Sequence, residues 1–295
     1  MLRLNIKYAS LYTLKVRISF ILIVIFLVVL FLCTEQVQFS KSILNSKDEG
    51  FGRDGFVKED KSIILSMDNE SKKLESSQPL DIANFLSSKK FHDLCRTPEI
   101  LDYVEDILGP NFVQWGGQFF HKEPQSGSVV PWHQDAQYWP LEPANAVTVW
   151  LAVYDSDEEN GAMKVVSGSH KKGANGFKHH TNDASHLVLD QEVSEDQIDK
   201  DKIVYMNLKA GEISLHNDAL LHGSDPNNSN RKRCGITMRF SPTNVKGDLN
   251  EWPFFETQLA RGEDTFKLNP IAQIPRGEAT PIKRFCFSKD FENEW

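Results

Sequence analysis

The chain has 295 residues, of which 40% are hydrophobic and 25% are charged, a composition typical of a globular protein. Its formal net charge of −8 at pH 7 argues against a nucleic-acid partner, because phosphate binding needs clustered Lys and Arg. The four cysteines do not make a disulfide scaffold at this length, and no C-x-x-C pair suggests a zinc site.

An apolar run from Ile18 to Cys33 follows a basic N-terminal stretch, and no acidic residue occurs before Glu35. The run is slightly short for a membrane span, but no small-residue cleavage site follows it. We therefore expect residues 1–17 to form a short cytoplasmic tail and residues 18–33 to form an uncleaved transmembrane signal-anchor. The positive-inside rule then places the rest of the chain across the membrane, in the lumen of the endoplasmic reticulum or Golgi.

Residues 34–80 are mostly polar and lack strong hydrophobic periodicity, which predicts a stalk or linker. Residues 81–295 are long enough for one sizeable domain. In a luminal domain, the sequons that begin at Asn69 and Asn227 are candidate glycan sites, and the sequence alone leaves both undecided.

Helical periodicity runs through residues 85–108 and is divided just before Pro98. Thr97 is the predicted N-cap of the second helix, and Gly109 followed by Pro110 predicts where that helix ends.

Short strands separated by turn signals follow Pro110, which indicates a sandwich or a rolled barrel. The predicted strands cover residues 112–122, 131–138, 146–154, 162–166, 212–216, 219–222 and 234–241. We expect residues 171–200 to form a solvated loop over the sheet, and the tail from residue 250 to consist of loops with a helix at 254–261.

His133 and Asp135 are two residues apart on a predicted extended segment, so both side chains point to the same face. Aromatic residues on both sides, Trp132 and Trp139 among them, predict that this segment is partly enclosed. A buried carboxylate is costly unless it is paired or binds a cation. The pair therefore predicts a metal site.

One further imidazole would complete a set of two His and one carboxylate, the arrangement typical of non-haem Fe(II) oxygenases. The candidates for this third ligand are His170, His216 and His222. Their spacing alone does not choose among them, although His216 lies beside an Asn-Asp turn and is more typical of a structural or supporting histidine.

Arginines occur on one face of the last predicted strand, where Arg233, Thr237 and Arg239 alternate with apolar residues. Such a face inside a β core suggests an anion held in a cavity, because guanidinium binds carboxylate through two parallel hydrogen bonds. The alternative is a solvent-facing strand with ordinary surface arginines. Alternation does not separate Arg233 from Arg239 as the anion partner.

From about Thr97 to Thr243 the chain resembles the phytanoyl-CoA dioxygenase family of Fe(II)- and 2-oxoglutarate-dependent oxygenases. The matching segments are LGP at 108–110, FFHKEP at 119–124, WHQD at 132–135 with YW at 138–139, WLA at 150–152, ENGAM at 159–163, GSH at 168–170, LHGS at 221–224, and Arg233 before GITMRF.

The resemblance implies a mainly β fold with a double-stranded β-helix (jelly-roll) core and flanking α-helices, here preceded by the expected transmembrane helix. It implies that His133, Asp135 and His222 bind the iron, which resolves the choice of the third ligand. The implied 2-oxoglutarate residues are Arg233 and Ser224, with Trp150 and Gln118 lining the cosubstrate pocket.

The activity implied is hydroxylation of a small or lipid-like substrate by O2, with Fe(II) as the metal, 2-oxoglutarate as cosubstrate and ascorbate as reductant. Succinate and CO2 are the implied by-products. Asp135 favours hydroxylation, since halogenases that resemble this family lack that carboxylate. The alternative from another class is a catalytically inactive jelly-roll binding protein. The stretch before residue 90 matches the family poorly, and a membrane anchor is not typical of it.

Overall fold

The computed structural model describes residues 54–59, 88–181, 189 and 191–277. The predicted anchor, most of the predicted stalk and the sequon at Asn69 lie outside these residues. Within the described ranges, none of the helices combines the length and the apolar character that a membrane span requires.

The described fold has two helices, α1 (Lys89–Leu94) and α2 (Pro98–Leu108). Its strands, in chain order, are β1 (Phe56–Glu59), β2 (Phe112–Lys122), β3 (Val130–His133), β4 (Leu141–Glu142), β5 (Val147–Ala152), β6 (Met163–Val166), β7 (His179–Thr181), β8 (Gln191–Val193), β9 (Ile203–Tyr205), β10 (Ile213–Asn217), β11 (His222–Ser224), β12 (Arg233–Pro242), β13 (Lys246–Gly247) and β14 (Gln258–Arg261).

Helix α2 begins and ends at the predicted residues, whereas α1 is shorter than the predicted stretch 85–97, of which 85–87 lie outside the described residues. Helix α2 follows Thr97 and starts at Pro98, which suits the first turn because no backbone donor is needed there. Gly109 ends it with a φ of 83°, a conformation that favours glycine. In α1 the Ser88 side chain caps the helix by accepting a hydrogen bond from the Phe91 N–H.

Two antiparallel sheets form the body of the protein. The large sheet has the order β1-β10-β5-β12-β2-β14, and the small sheet has the order β3-β11-β6-β9. The described fold is therefore mainly β and is consistent with the predicted jelly-roll core.

One face of the large sheet packs against both helices. Side chains such as Leu151 on β5 and Ile236 and Met238 on β12 are buried there against Phe91 and Ile100. Their neighbours along each strand point to the other face, into the interior between the sheets. Because β5 is buried on both faces, it reads as a near-continuous apolar run.

An aromatic cluster lies beside this interior. It contains Trp115, Trp139, Trp252 and Phe255, and the Trp115 and Trp139 rings meet edge to face at 4.7 Å.

Two expectations about the loops were wrong. The segment 171–200 is not simply solvated, because its described part includes the hairpin β7–β8, and Phe177, Val193 and Ile198 are buried against the small sheet. The expected helix at 254–261 is a turn followed by β14, which pairs with β2 at the sheet edge. In β14 the apolar Leu259 is exposed and the polar Gln258 is buried. The sequence therefore lacks the alternation of buried apolar and exposed polar residues that predicts a strand.

Candidate metal centre

Two neighbouring strands bring the two histidines that were predicted as ligands face to face. His222 on β11 is the direct cross-strand partner of His133 on β3, and their ring centroids are 4.1 Å apart. β3 ends at His133, earlier than predicted, and a 3-10 turn covers Asp135–Gln137. Gln134 between them is still extended, so Asp135 points the same way as His133.

The three side chains converge on one point. The Asp135 Oδ1 atom lies 3.7 Å from His133 Nε2 and 3.8 Å from His222 Nε2. One donor atom from each residue lies within 4.8 Å of the other two, and all three side chains are nearly buried. This spacing leaves room for one metal ion among the three donors.

Backbone carbonyls fix the tautomer of both imidazoles. His133 Nδ1 donates to the Pro131 carbonyl at 2.8 Å, and His222 Nδ1 donates to the Leu220 carbonyl at 2.9 Å. Since each Nδ1 carries the proton, each Nε2 presents a lone pair to the shared point.

A second pair of side chains holds the other oxygen of the carboxylate. Thr148 Oγ1 on β5 donates to Asp135 Oδ2 at 3.3 Å, and His216 Nε2 on β10 lies 3.4 Å from the same atom. His216 therefore supports Asp135, as its place beside the turn suggested. His170 packs against Gly55 and stays outside the group of three.

The electrostatics favour the protonation states that a metal needs. Burial opposes the charged form of Asp135, but electrostatic attraction to the surrounding imidazoles of His222, His133 and His216 holds its pKa well below the usual range. Burial, with repulsion from His133, lowers the pKa of His222 well below its ordinary value. The two Nε2 lone pairs and one ionised carboxylate fit a divalent transition metal such as Fe(II) and leave coordination positions open.

Arg233 is buried beside Ser224 and Trp150. Its side chain is 4% exposed, which excludes the solvent-facing alternative, and burial lowers its pKa to about 10, so it stays charged at neutral pH. Its Nε and Nη2 donate to the Gly161 carbonyl, and Nη2 lies 3.4 Å from Ser224 Oγ. The Trp150 ring covers the guanidinium at 5.7 Å. A buried cation with a hydroxyl beside it can hold a carboxylate.

Gln118 lies beside the other arginine of this strand. Its Oε1 accepts a hydrogen bond from Arg239 Nη1 at 3.2 Å, and its backbone pairs with the Thr237 side chain. The structure therefore brings Arg233, Ser224 and Trp150 together and sets Gln118 apart from them. The role of Gln118 in cosubstrate binding stays a prediction.

Sequence reasoning missed two residues near the site. Thr148 could have been found, because it shares the inward face of β5 with Trp150. Nothing in the sequence indicates that Lys122 is buried, since a lysine in a strand is ordinarily exposed. It is buried, with Nζ donating to the carbonyls of Ser128, Ser224 and Asp225, and burial lowers its pKa to about 7.

The sequon at Asn227 is not available for a glycan. Asn227 is 1% exposed, and its Nδ2 donates to the carbonyls of Lys122, Glu123 and Arg231. The buried side chain therefore links two segments of the chain through hydrogen bonds.

Comparison with known proteins identifies relatives of this chain. The family model described as phytanoyl-CoA dioxygenase (PhyH) matches residues 40–235. Human peroxisomal phytanoyl-CoA dioxygenase is 28% identical over 187 residues, which cover 58% of this chain and 53% of that protein. A probable alpha-ketoglutarate-dependent hypophosphite dioxygenase of Stutzerimonas stutzeri is 28% identical over 181 residues, covering 58% of this chain and 60% of that protein.

Solved structures share the fold. The non-heme monooxygenase ThoJ in its apo form has a TM-score of 0.64 and 26% identity, covering 78% of this chain and 88% of ThoJ. CytC3 with Fe(II) and alpha-ketoglutarate has a TM-score of 0.55 and 23% identity, covering 79% of this chain and 94% of CytC3, which shows likeness of fold. The chain spans about half the length of the curated phytanoyl-CoA dioxygenases of cattle, humans and mice that it matches (49%, 53% and 50%).

Proposed function

The chain belongs to the phytanoyl-CoA dioxygenase family, and from this we propose that it is an Fe(II)- and 2-oxoglutarate-dependent dioxygenase. The proposed reaction is hydroxylation of a small or lipid-like substrate by O2, with release of succinate and CO2. The matched relatives support only this broad substrate class, since one is named for phytanoyl-CoA and another for hypophosphite.

The observation that carries the proposal is the convergence of His133 Nε2, His222 Nε2 and Asp135 Oδ1. Their separations of 3.7 and 3.8 Å from the carboxylate suit ligands of a single ion, and both imidazoles are held in the tautomer that can bind it. We assign these three residues as the iron ligands.

Arg233 and Ser224 are assigned to the distal carboxylate of 2-oxoglutarate. The guanidinium is buried and charged, and Ser224 is two residues beyond the ligand His222 on the same strand. Trp150 covers the guanidinium and shields this position from water. Shielding strengthens the attraction between guanidinium and carboxylate, because the local dielectric constant is lower than that of water.

When bound, iron and 2-oxoglutarate supply the oxidising chemistry, and the protein supplies the binding and the enclosure. Thr148 and His216 hold the second oxygen of Asp135, which orients the first toward the metal.

The test is 2-oxoglutarate turnover by the full-length chain with Fe(II), ascorbate and O2. We expect succinate release by the wild type and none above background by His133→Ala, with His180→Ala as a matched control because His180 lies on the partly exposed hairpin strand β7. Iron bound in stoichiometric amount without succinate release would contradict dioxygenase activity and favour the inactive binding protein.

We also propose that residues 18–33 anchor the chain in the membrane with the globular domain on the luminal side. The support is the apolar run after a basic N-terminus. Protease treatment of intact microsomes should spare the globular domain, and its digestion without detergent would contradict this orientation.

A further inference from the structure

Arg239 is a second buried guanidinium in the same interior, and the cosubstrate does not account for it. Its side chain is 5% exposed, and it points inward from β12 on the same face as Arg233. The two arginines are six positions apart on one strand, which places their backbones roughly 20 Å apart. One five-carbon diacid that binds the metal cannot pair with both.

The hydrogen-bonding capacity of Arg239 is only partly used. Nη1 donates to Gln118 Oε1 at 3.2 Å, and the Trp139 ring lies 5.1 Å from the guanidinium carbon. Among the described residues, Nε has no hydrogen-bond partner, and no carboxylate lies within ion-pair distance of this side chain. A buried charge in this state is costly unless something else pairs with it.

The position of Arg239 is next to the metal ligands. In the strand register Arg239 is directly opposite Thr148, whose hydroxyl donates to Asp135. Side chains on one face of such a pair are about 4.5–5.5 Å apart at Cβ. The attraction between Asp135 and Arg239 partly offsets the effect of burial, which lowers the pKa of Arg239. A group bound to Arg239 would therefore lie close to the reacting centre.

The charge of the filled site indicates what that group is. Arg233, Arg239 and Asp135 together leave one positive charge, and Fe(II) with doubly charged 2-oxoglutarate adds none. Burial shifts the pKa of Lys122, near Arg233, and the pKa of Asp218, near Asp135, to about 7, so at neutral pH their partial charges have opposite signs and cancel. One positive charge thus remains for one singly charged anion.

We propose that Arg239, assisted by Gln118 and Trp139, binds a carboxylate of the substrate, so that the substrate is an organic acid. This inference rests on the proposed function. The free Nε edge of the guanidinium offers two parallel donors that match a planar carboxylate. A phosphate, with a charge near −2 at neutral pH, would overcompensate the site. Because Arg239 lies near Asp135, the carbon that is oxidised is close to the acid group.

The experiment uses acetate as the carboxylate probe and acetamide as its neutral isostere. The full-length protein is loaded with Mn(II) and saturated with 2-oxoglutarate without O2, and the relaxation of the probe's methyl protons reports binding near the metal. We expect saturable relaxation by acetate and none by acetamide. In Arg239→Gln the affinity for acetate should fall at least about tenfold.

Two controls keep the result interpretable. Arg231→Gln removes an arginine that is exposed and paired with Asp157 and Glu159, and it should bind acetate as the wild type does. Arg239→Lys keeps the positive charge but loses the two parallel N–H donors of the guanidinium. It should therefore bind acetate more weakly than the wild type and more tightly than Arg239→Gln.

The visible absorption of the Fe(II)–2-oxoglutarate complex, measured in parallel without O2, separates the two claims. If the wild type forms no such complex, the proposed function fails. If it forms the complex but acetate behaves like acetamide, or binds Arg239→Gln unchanged, the acid site is wrong. Loss of 2-oxoglutarate binding in Arg239→Gln, with acetate unaffected, would make Arg239 the cosubstrate residue and also overturn the inference.

Discussion

His216 and His222 have rings 4.7 Å apart in the same buried site, yet their atoms do different things. His222 directs Nε2 to the point shared with His133, whereas His216 lies against the far oxygen of Asp135. The sequence could not separate the two by spacing, because the separation depends on which strand each occupies. The family resemblance supplied the choice of His222.

This difference predicts different losses on substitution. His222→Ala removes a ligand and should abolish stoichiometric Fe(II) binding. His216→Ala leaves all three ligands but frees Asp135, and should weaken metal binding about 10–100-fold. Metal content after dialysis and Co(II) titration measure both, with His180→Ala as the control. Equal loss in both variants would show that His216 is itself a ligand.

Arg233 supplies the second prediction at this scale. Arg233→Met should raise the dissociation constant of 2-oxoglutarate on the order of a hundredfold, about 2.7 kcal/mol, because a buried charged hydrogen-bonding partner is lost. Iron binding should be retained. An anaerobic titration of 2-oxoglutarate into the Fe(II)-loaded protein measures the constant, and Arg231→Gln is the matched surface control. Unchanged affinity in Arg233→Met would remove Arg233 from the cosubstrate site.

At the scale of elements, the alternation of apolar and polar residues along the strands predicted reliably which side chains share a face. β12 places Cys234, Ile236 and Met238 on the helix side and its two arginines on the opposite face, as the period of two predicted. The strand β14 was not predictable, because its partner β2 is distant in the sequence. The 3-10 turn at Asp135 and the hairpin β7–β8 were not predictable, because segments of three residues are too short to show a period. Lys122 was missed because its burial depends on three acceptors outside its own strand, one on β11 and two on loops.

Gly235 controls the packing of β12 against β5. A Cβ atom on Gly235 would lie 2.0 Å from Cζ2 of Trp150, the residue that covers Arg233. Gly235→Ala should therefore displace Trp150, lower the free energy of unfolding by about 1–3 kcal/mol and weaken 2-oxoglutarate binding. Gly127→Ala is the control, because nothing lies within 4 Å of its added Cβ. Thermal unfolding and cosubstrate titration of both variants check this, and equal behaviour of the two would contradict it.

Lys122 on β2 hydrogen-bonds to the end of β11 and to the loop that follows it, and its lowered pKa predicts that the free energy of unfolding depends on pH. Burial lowers its pKa from 10.5 to about 7 in the folded state. Between about pH 7 and pH 10 the unfolded chain then holds a proton that the folded chain has released, so the free energy of unfolding should rise with pH. Denaturant unfolding at several pH values should show a smaller rise for Lys122→Met. The same slope in both proteins would contradict the lowered pKa.

At the scale of the whole molecule, two sheets bring together segments that are far apart in the sequence. β3 and β11 carry the two proposed histidine ligands as direct neighbours, and β5, β10 and β12 of the other sheet supply the residues that support the site. The residue types and the mainly β class were readable from the sequence. The burial of both arginines and the separate surroundings of Gln118 required the packed interior, because alternation defines a face and not what covers it.

The position of iron in the assembled protein tests the central claim most directly. Crystals of the full-length chain grown without O2 in Fe(II) and 2-oxoglutarate should give a single anomalous peak at the iron edge. We expect Nε2 of His133, Nε2 of His222 and a carboxylate oxygen of Asp135 at about 2.0–2.2 Å from it, with the distal carboxylate of 2-oxoglutarate on Arg233. A peak elsewhere, or one that lacks any of these three ligands, would contradict the account.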